Sequence, residues 1–260
     1  MDELDRSLSF FVDEEPFSAG SVMLVGREKI GLYPDPFTVR FRNLPEEQYL
    51  RITRGKRIDV CHGDSCLVSG GICDVFREGT MTGMMTSVVF SSGMTLWETP
   101  VSLAVPGGAS VSETVRMILE ASGAGVSLLS FPGEDFVFSR GQSFFGRAAE
   151  CITAVLSAVR ARAVMTTAGL CVIPAAGLPV SLTLTEKDLT DAPAFAGRKE
   201  GQTSPAYVQI CTKVIGFRVG QMAEVEYQGK VYRGLIVERE MMLDTISGSW
   251  SAQILIELQG

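Results

Sequence analysis

Val219-Gly220-Gln221-Met222-Ala223-Glu224-Val225 opens the last β-rich stretch of the chain, and Arg54-Gly55-Lys56-Arg57-Ile58-Asp59-Val60 opens an earlier one with the same outline. In each, a glycine leads into a short run whose apolar residues alternate with polar ones, Ile58 and Val60 about Asp59, Ala223 and Val225 about Glu224, the period of a half-buried strand. The likeness extends further along both stretches. The earlier copy leads to Gly71-Ile72-Cys73-Asp74-Val75, then Ser92-Gly93 and a segment carrying Trp97; the later one leads to Gly234-Leu235-Ile236-Val237, then Ser247-Gly248 and a strand carrying Trp250. The two tryptophans thus hold equivalent places. Self-similarity in a fixed order marks a duplicated unit, set against the plain alternative that glycine-bounded strands look alike in any β protein.

Around the earlier copy, Ser21 to Ile30 and Pro36 to Phe41 read as strands, with Val39 and Phe41 alternating against Arg40 and Arg42. Leu67-Val68 comes after a Gly63-Asp64 turn and precedes Gly70-Gly71. Met84 to Val105 reads as one long hairpin, Ser87-Val88-Val89-Phe90 turning at Ser91-Ser92-Gly93 into Thr95-Leu96-Trp97 and on to Val101-Ser102-Leu103-Ala104-Val105. Around the later copy, Tyr207 to Ile210, Ala223 to Tyr227, Val231 to Glu240 and Trp250 to Leu258 are strands. The first twenty residues, with Pro16, Ser18 and Gly20, read as an arm that orders against a partner.

Between the copies the pattern changes at Pro106-Gly107-Gly108. Ser110 and Glu113 fit a capping box, Val111, Val115, Ile118 and Leu119 share a face, and Gly123 stands where a helix stops. A second helix starts near Ser143, with Phe145, Ala148, Ala149, Ile152, Val155, Leu156 and Val159 as its stripe and Arg160 and Arg162 near its negative end. Ala163-Val164-Met165-Thr166 and Leu170-Cys171-Val172-Ile173 flank a turn at Ala168-Gly169, a hairpin that can pack on the helices. Thr183 to Gly201 is polar and loop-like. The expected layout is an arm at 1–20, a first β-barrel at 21–105, an α+β insert at 106–182, and a linker loop with a second, similar β-barrel at 183–260.

A chain of 260 residues, 46% hydrophobic and 20% charged, is long enough and apolar enough to build a sizeable core. Its net charge of −7 offers no general positive field, so nucleic-acid capture and polybasic membrane docking both lose support. No apolar run reaches the roughly 18 to 20 residues of a bilayer span, and Met1-Asp2-Glu3-Leu4-Asp5 lacks the basic start of a secretory signal, so folding in the cytosol is expected. Cys61, Cys66, Cys73, Cys151, Cys171 and Cys211 are then thiols, most of them small core residues.

Chemistry finds little purchase. His62 is the only histidine, so any Ser-His-Asp or Cys-His mechanism rests on one turn residue. Cys61, His62, Cys66 and Cys73 offer four soft ligands at spacings that match no usual zinc pattern, and alternating strand positions explain them as well. Gly141-Gln142-Ser143-Phe144-Phe145-Gly146 misses the nucleophile elbow by one residue, which leaves Ser143 as a helix cap. Gly26-Arg27-Glu28-Lys29-Ile30-Gly31 lacks the lysine and hydroxyl of a phosphate loop. Glu14-Glu15 and Glu46-Glu47 are acidic pairs of the kind a glycosidase spaces across a sugar, and also of the kind that is simply solvated. Trp97 and Trp250 read as buried strand anchors rather than a sugar platform. No catalytic, cofactor-binding or metal residue is assigned.

Phe217-Arg218-Val219-Gly220-Gln221, Tyr232-Arg233-Gly234-Leu235-Ile236-Val237 and Asp244-Thr245-Ile246-Ser247-Gly248-Ser249-Trp250 together resemble the closing segment of the central hub proteins of contractile-tail phage baseplates, a family with Mu-like members and relatives in injection machines. Val111 to Ser122, Ser143 to Arg162 and the Gly169 hairpin are similar to the insert those hubs carry, and the resemblance runs from about Phe37 to Leu258. It implies a mainly β fold with an α+β insert, two similar tube-like β-barrel domains flanking a small α+β domain. It also implies a homotrimer, pseudo-sixfold, that joins the hexameric tail tube to the trimeric spike, touches other baseplate proteins through the arm and the Thr183 to Gly201 loop, and lets genome DNA pass its bore without specific binding. Such a protein is a structural part of the virion tail, assembled in the host cytoplasm, with no enzymatic role, cofactor or membrane contact. The rival readings are a tail-associated cell-wall hydrolase, which needs two carboxylates converging in a cleft, and a carbohydrate-binding β module, which needs an exposed tryptophan.

Overall fold

A computed structural model describes residues 6–81, 83–132, 135–166, 168–174, 179–196, 207–245 and 248–259. The chain divides into two compact units: a sheet unit of residues 1–29, 35–91 and 180–260, and an insert unit of residues 30–34 and 92–179.

The sheet unit opens with a hairpin, β1 (Ser9–Val12) and β2 (Glu15–Phe17), followed by β3 (Val22–Lys29), β4 (Pro36–Arg42), helix α1 (Glu46–Arg54), β5 (Arg57–His62), β6 (Ser65–Thr80) and β7 (Gly83–Ser91). After the insert it resumes with β13 (Val180–Leu184), β14 (Ala194–Ala196), β15 (Tyr207–Thr212), β16 (Met222–Tyr227), β17 (Lys230–Asp244) and β18 (Trp250–Leu258). All these strands belong to one 13-stranded sheet. Within it two blocks share one strand order, β3-β4-β7-β6-β5-β1 and β14-β15-β18-β17-β16-β13, and the blocks meet where β17 pairs antiparallel with β3.

The blocks correspond residue by residue. One rung runs Gly26-Phe37-Phe90-Ile72 across the first and Phe195-Val208-Ile256-Ile236 across the second. Just past that rung both long strands carry a bulge, between Ile72 and Asp74 and between Ile236 and Glu238, the extra residue that bends a strand and sharpens its twist. The β5–β6 and β16–β17 hairpins turn through Gly63 at φ 54° and through Gln228 and Gly229 at φ 50° and 70°, the left-handed backbone that tight hairpins require. The duplication expected from the glycine-led strands is therefore present, with two changes: Gly234 corresponds to Gly70 rather than Gly71, and the tryptophans part company. Trp250 begins β18 and corresponds to Met84 at the start of β7, while Trp97 lies in the insert, so the tryptophans are not equivalent.

Alternation sorts each strand. In β4, Phe37, Val39 and Phe41 are buried and Arg40 is exposed. Phe10 of β1 meets Phe41 edge-on at 5.1 Å between ring centroids, and Phe17 of β2 lies 5.4 Å from the same ring. Ser9 to Phe17 is thus no free-standing arm: β1 pairs with β5 from Ser9↔Cys61 to Val12↔Ile58, because two buried phenylalanines outweigh the acidic residues around them. Thr183 to Gly201 is likewise structured in part, holding the end of β13, a short turn of helix at Glu186–Asp188, and β14; its Gly197–Gly201 end lies outside the described residues.

The insert unit runs α2 (Met94–Glu98), β8 (Pro100–Val105), α3 (Val111–Ser122), β9 (Leu128–Ser130), β10 (Gln142–Arg147), α4 (Ala148–Ala158), β11 (Arg162–Met165) and β12 (Leu170–Ile173). Helix α3 is capped as expected: the Glu113 amide donates to Ser110 Oγ at 3.2 Å, the Ser110 amide to Glu113 at 3.4 Å, and Gly123 ends the helix at φ 63°. Val111, Val115, Ile118 and Leu119 pack with Ile152, Val155 and Leu156 of α4 in one core, closed by the β11–β12 hairpin.

Two local expectations are overturned. The Met84–Val105 hairpin does not form: Gly93 turns left-handed at φ 76°, Thr95–Trp97 coil into α2 so that Leu96 enters the insert core, and β8 pairs with β10. The second helix begins at Ala148 rather than Ser143. Gln142–Arg147 alternates strictly, half-buried Phe144 against Phe145 at 90% exposure, so a period of two overrides the helical stripe, and Ser143 is a strand residue and no cap.

Candidate assembly site

The chemistry-bearing residues do not converge. His62, at the end of β5, packs on Trp250 with ring centroids 5.7 Å apart. Cys61 and Cys66 are direct cross-strand partners in the β5–β6 hairpin, each half-buried. Burial, reinforced by the Cys66 neighbour, pushes the Cys61 thiol up to about 12, which leaves it protonated and unreactive at neutral pH. Cys73 sits exposed beyond Gly71, and among the described residues no three His, Cys, Asp or Glu side chains gather as a metal site. All six cysteines are thiols, but only Cys151 is buried, which corrects the expectation that most are core residues: on half-covered strands a small side chain reaches the surface.

One member of each acidic pair, Glu15 and Glu46, is held in an ion pair with an arginine. An open depression of about 500 Å³ is lined by Asp13, Glu15, Glu47, Arg51 and Arg54 among others. Two of its carboxylates have other work: Asp13 accepts from the Lys56 and Arg57 amides at 3.1 and 2.9 Å, and Glu15 pairs with Arg51 at 2.9 Å. Glu46 binds Arg77, whose guanidinium also lies 3.9 Å from the Tyr49 ring centroid. Glu46 and Glu47 open helix α1, an element absent from the sequence-based layout. Pro45 before it, two acids in its first turn, Arg51 and Arg54 in its last and Gly55 after it were the available signals. Trp250 is buried as a strand anchor, whereas Trp97 is a half-buried helix residue, 4.9 Å from Tyr33 and under the Arg147 guanidinium at 4.8 Å. Ser143 lies on β10, and Gly26 to Lys29 are strand residues, in neither case a cradle.

What the structure does concentrate is the seam between the two blocks. Along it β17 and β3 pair from Glu238↔Lys29 to Asp244↔Met23. Arg239 is buried there at 1% exposure. Its guanidinium donates to the Phe217 carbonyl, to the Glu28 carboxylate at 2.7 Å and to the Leu67 carbonyl at 3.1 Å, gathering both blocks on one side chain. Burial lowers the arginine's pKa and Glu28 opposes that shift; the guanidinium stays charged and has one carboxylate close by to balance it. Arg218 donates to the Cys66 carbonyl at 2.8 Å, a second strut from the later block to the earlier. At the surface of the seam Glu238 pairs with Arg27.

No protein-family model and no curated protein matches the sequence. Solved structures do match its fold. A tail protein from Neisseria meningitidis MC58 superposes with a TM-score of 0.73 at 10% identity, covering 96% of this chain and 95% of that one. The 43 kDa tail protein of prophage MuSo2 from Shewanella oneidensis gives 0.73 at 10%, covering 97% and 96%. An Escherichia coli component of the type VI secretion system, described as similar to the T4 tail proteins gp27 and gp5, gives 0.71 at 12%, covering 96% and 77%. The fold is shared with these tail proteins, mainly β with an α+β insert.

Proposed function

We propose that the chain is a structural subunit of a phage tail baseplate or a related injection machine, a hub of which three copies close a ring between a hexameric tube and a trimeric spike. The observation that carries this reading is the duplicated strand order. A chain with two like blocks gives a threefold assembly six like modules, so one face can meet a sixfold partner while the whole keeps the symmetry of a threefold one. The fold match over nearly the full length of two tail proteins supports the setting. The engaged carboxylates and the lone histidine stacked on tryptophan support a structural role over a hydrolytic one. In this reading the ring borders the genome's path, and a net charge of −7 favours passage without adhesion. Tube, spike and neighbouring baseplate proteins are its partners, in a virion tail assembled in the host cytoplasm.

Light scattering on the purified 28.0 kDa chain across a concentration series tests it. A threefold mass is expected; a chain that stays monomeric even with tube and spike proteins present overturns the reading.

A further inference from the structure

The seam inside the chain has a counterpart that is left open. In the later block β17 is flanked on one side by β18 and on the other, from Glu238 to Asp244, by β3 of the earlier block. The corresponding span of the earlier block is Asp74–Thr80 of β6, placed by the matching bulges. It pairs with β7 on one side, and among the described residues no strand pairs with its other flank beyond Gly71, where β5 ends. Burial agrees: Arg239, Met241 and Leu243 are buried, whereas none of Asp74 to Gly79 is, and Phe76 is 42% exposed.

The strand that would fill this flank also exists unfilled. The counterpart of β3 in the later block is β14, since Gly26 and Phe195 occupy the same rung. β3 has neighbours on both sides; among the described residues β14 pairs with β15 alone, all three of its residues are exposed, and Phe195 is 52% exposed. An open flank and an open edge, each carrying an exposed phenylalanine, are liabilities a protein normally blocks or fills. Within one chain they belong to opposite blocks, so filling one with the other requires a second copy.

Resting on the proposed ring, we infer that copies join head to tail by strand addition, the edge of β14 in one copy pairing antiparallel with the open flank of β6 in the next. The intrachain seam supplies the register. Arg27↔Glu240, Gly26↔Met241 and Val25↔Met242 translate into Ala196↔Phe76, Phe195↔Arg77 and Ala194↔Glu78. The contact is heterologous, so it closes only as a ring, and each block then has the same kind of neighbour on both sides, one covalently attached and one not.

A cysteine pair tests this register. In a Cys73→Ser background, Phe76→Cys with Ala196→Cys is oxidised with copper phenanthroline and run without reductant, beside each single variant. The expected result is a ladder ending at the ring's mass in the double variant and monomer in both singles. A Phe76→Cys single that dimerises as fast overturns the inference in favour of a like-with-like contact. Hydrogen exchange on the unmodified protein guards against a misfolded variant: the alternate amides of Asp74 to Gly79 that face away from β7 exchange at least about tenfold more slowly in the oligomer than after dilution to monomer. An oligomer of ring mass with these amides unprotected and no cross-link defeats the edge pairing and leaves the hub reading standing. A monomer at every concentration, with tube and spike proteins present as well, defeats both.

Discussion

The two blocks of the sheet share strand order, bulge and hairpin, and differ at their margins. The earlier block has a long β3 of eight residues, helix α1 between its β4 and β5, and a β1 that pairs antiparallel with β5. The later block has a β14 of three residues, no helix among residues 213–221, and a β13 that pairs parallel with β16. The centre of each module, where β4, β7 and β6 or β15, β18 and β17 bury aromatic and aliphatic side chains, tolerates change only if packing is kept. The margins met different neighbours, and there the copies diverged. Arg239 illustrates the point: it holds the seam, while its counterpart in the earlier block is the half-buried Val75.

The largest test of that asymmetry exchanges side chains at the corresponding positions. Arg239→Met leaves Glu28 without its buried partner and is expected to cost about 3 to 5 kcal/mol, whereas Val75→Met changes stability by about 0.5 kcal/mol or less. Urea unfolding of the sheet unit distinguishes them, and equal effects would show that the seam is not held by this arginine. Adding Glu28→Gln to Arg239→Met should recover part of the loss.

A smaller effect separates two glycines that the sequence echo sets opposite each other and the strand pairing places one residue out of register. A Cβ on Gly234 would run into the Glu257 carbonyl and Ile256, so Gly234→Ala is expected to cost about 1 to 3 kcal/mol. A Cβ on Gly71 meets nothing nearer than the Lys56 carbonyl at 3.8 Å, and Gly71→Ala should be close to neutral. Thermal denaturation of both variants reads this out, and a neutral Gly234→Ala would mean that the two long strands can part there without loss. Smallest is the exposed Arg27–Glu238 pair: Glu238→Gln should lower stability by at most about 1 kcal/mol in low salt and by nothing measurable in 1 M salt.

Strands whose alternation is local are legible in the sequence, as are the Ser110–Glu113 cap and the Gly169 hairpin, because each signal lies within a few residues. Gln142–Arg147 is ambiguous from sequence because Phe144, Phe145 and Ala148 fit both a helical stripe and a strand, and only the pairing with β8 decides between them. Trp97 looks equivalent to Trp250 in the linear pattern, but Gly93 redirects the chain before it. The Arg239–Glu28 contact spans 211 residues, and nothing near Glu28 distinguishes it from a solvated glutamate on an edge. That contact belongs to tertiary pairing, as does the joining of the first hairpin to β5.

The same seam sets a timetable for folding. β3 leaves the ribosome well before its partner β17, with the whole insert unit synthesised in between. Until β17 follows, the nascent chain therefore displays an unpaired aliphatic strand edge, Val22-Met23-Leu24-Val25, which is open to mispairing with neighbouring chains. The insert unit, whose core lies within residues 30–34 and 92–179, can condense meanwhile and hold the sheet's two halves on a shortened tether. Slow translation or depletion of chaperones should then show first as aggregation of chains truncated before Lys230, rather than as loss of the finished protein.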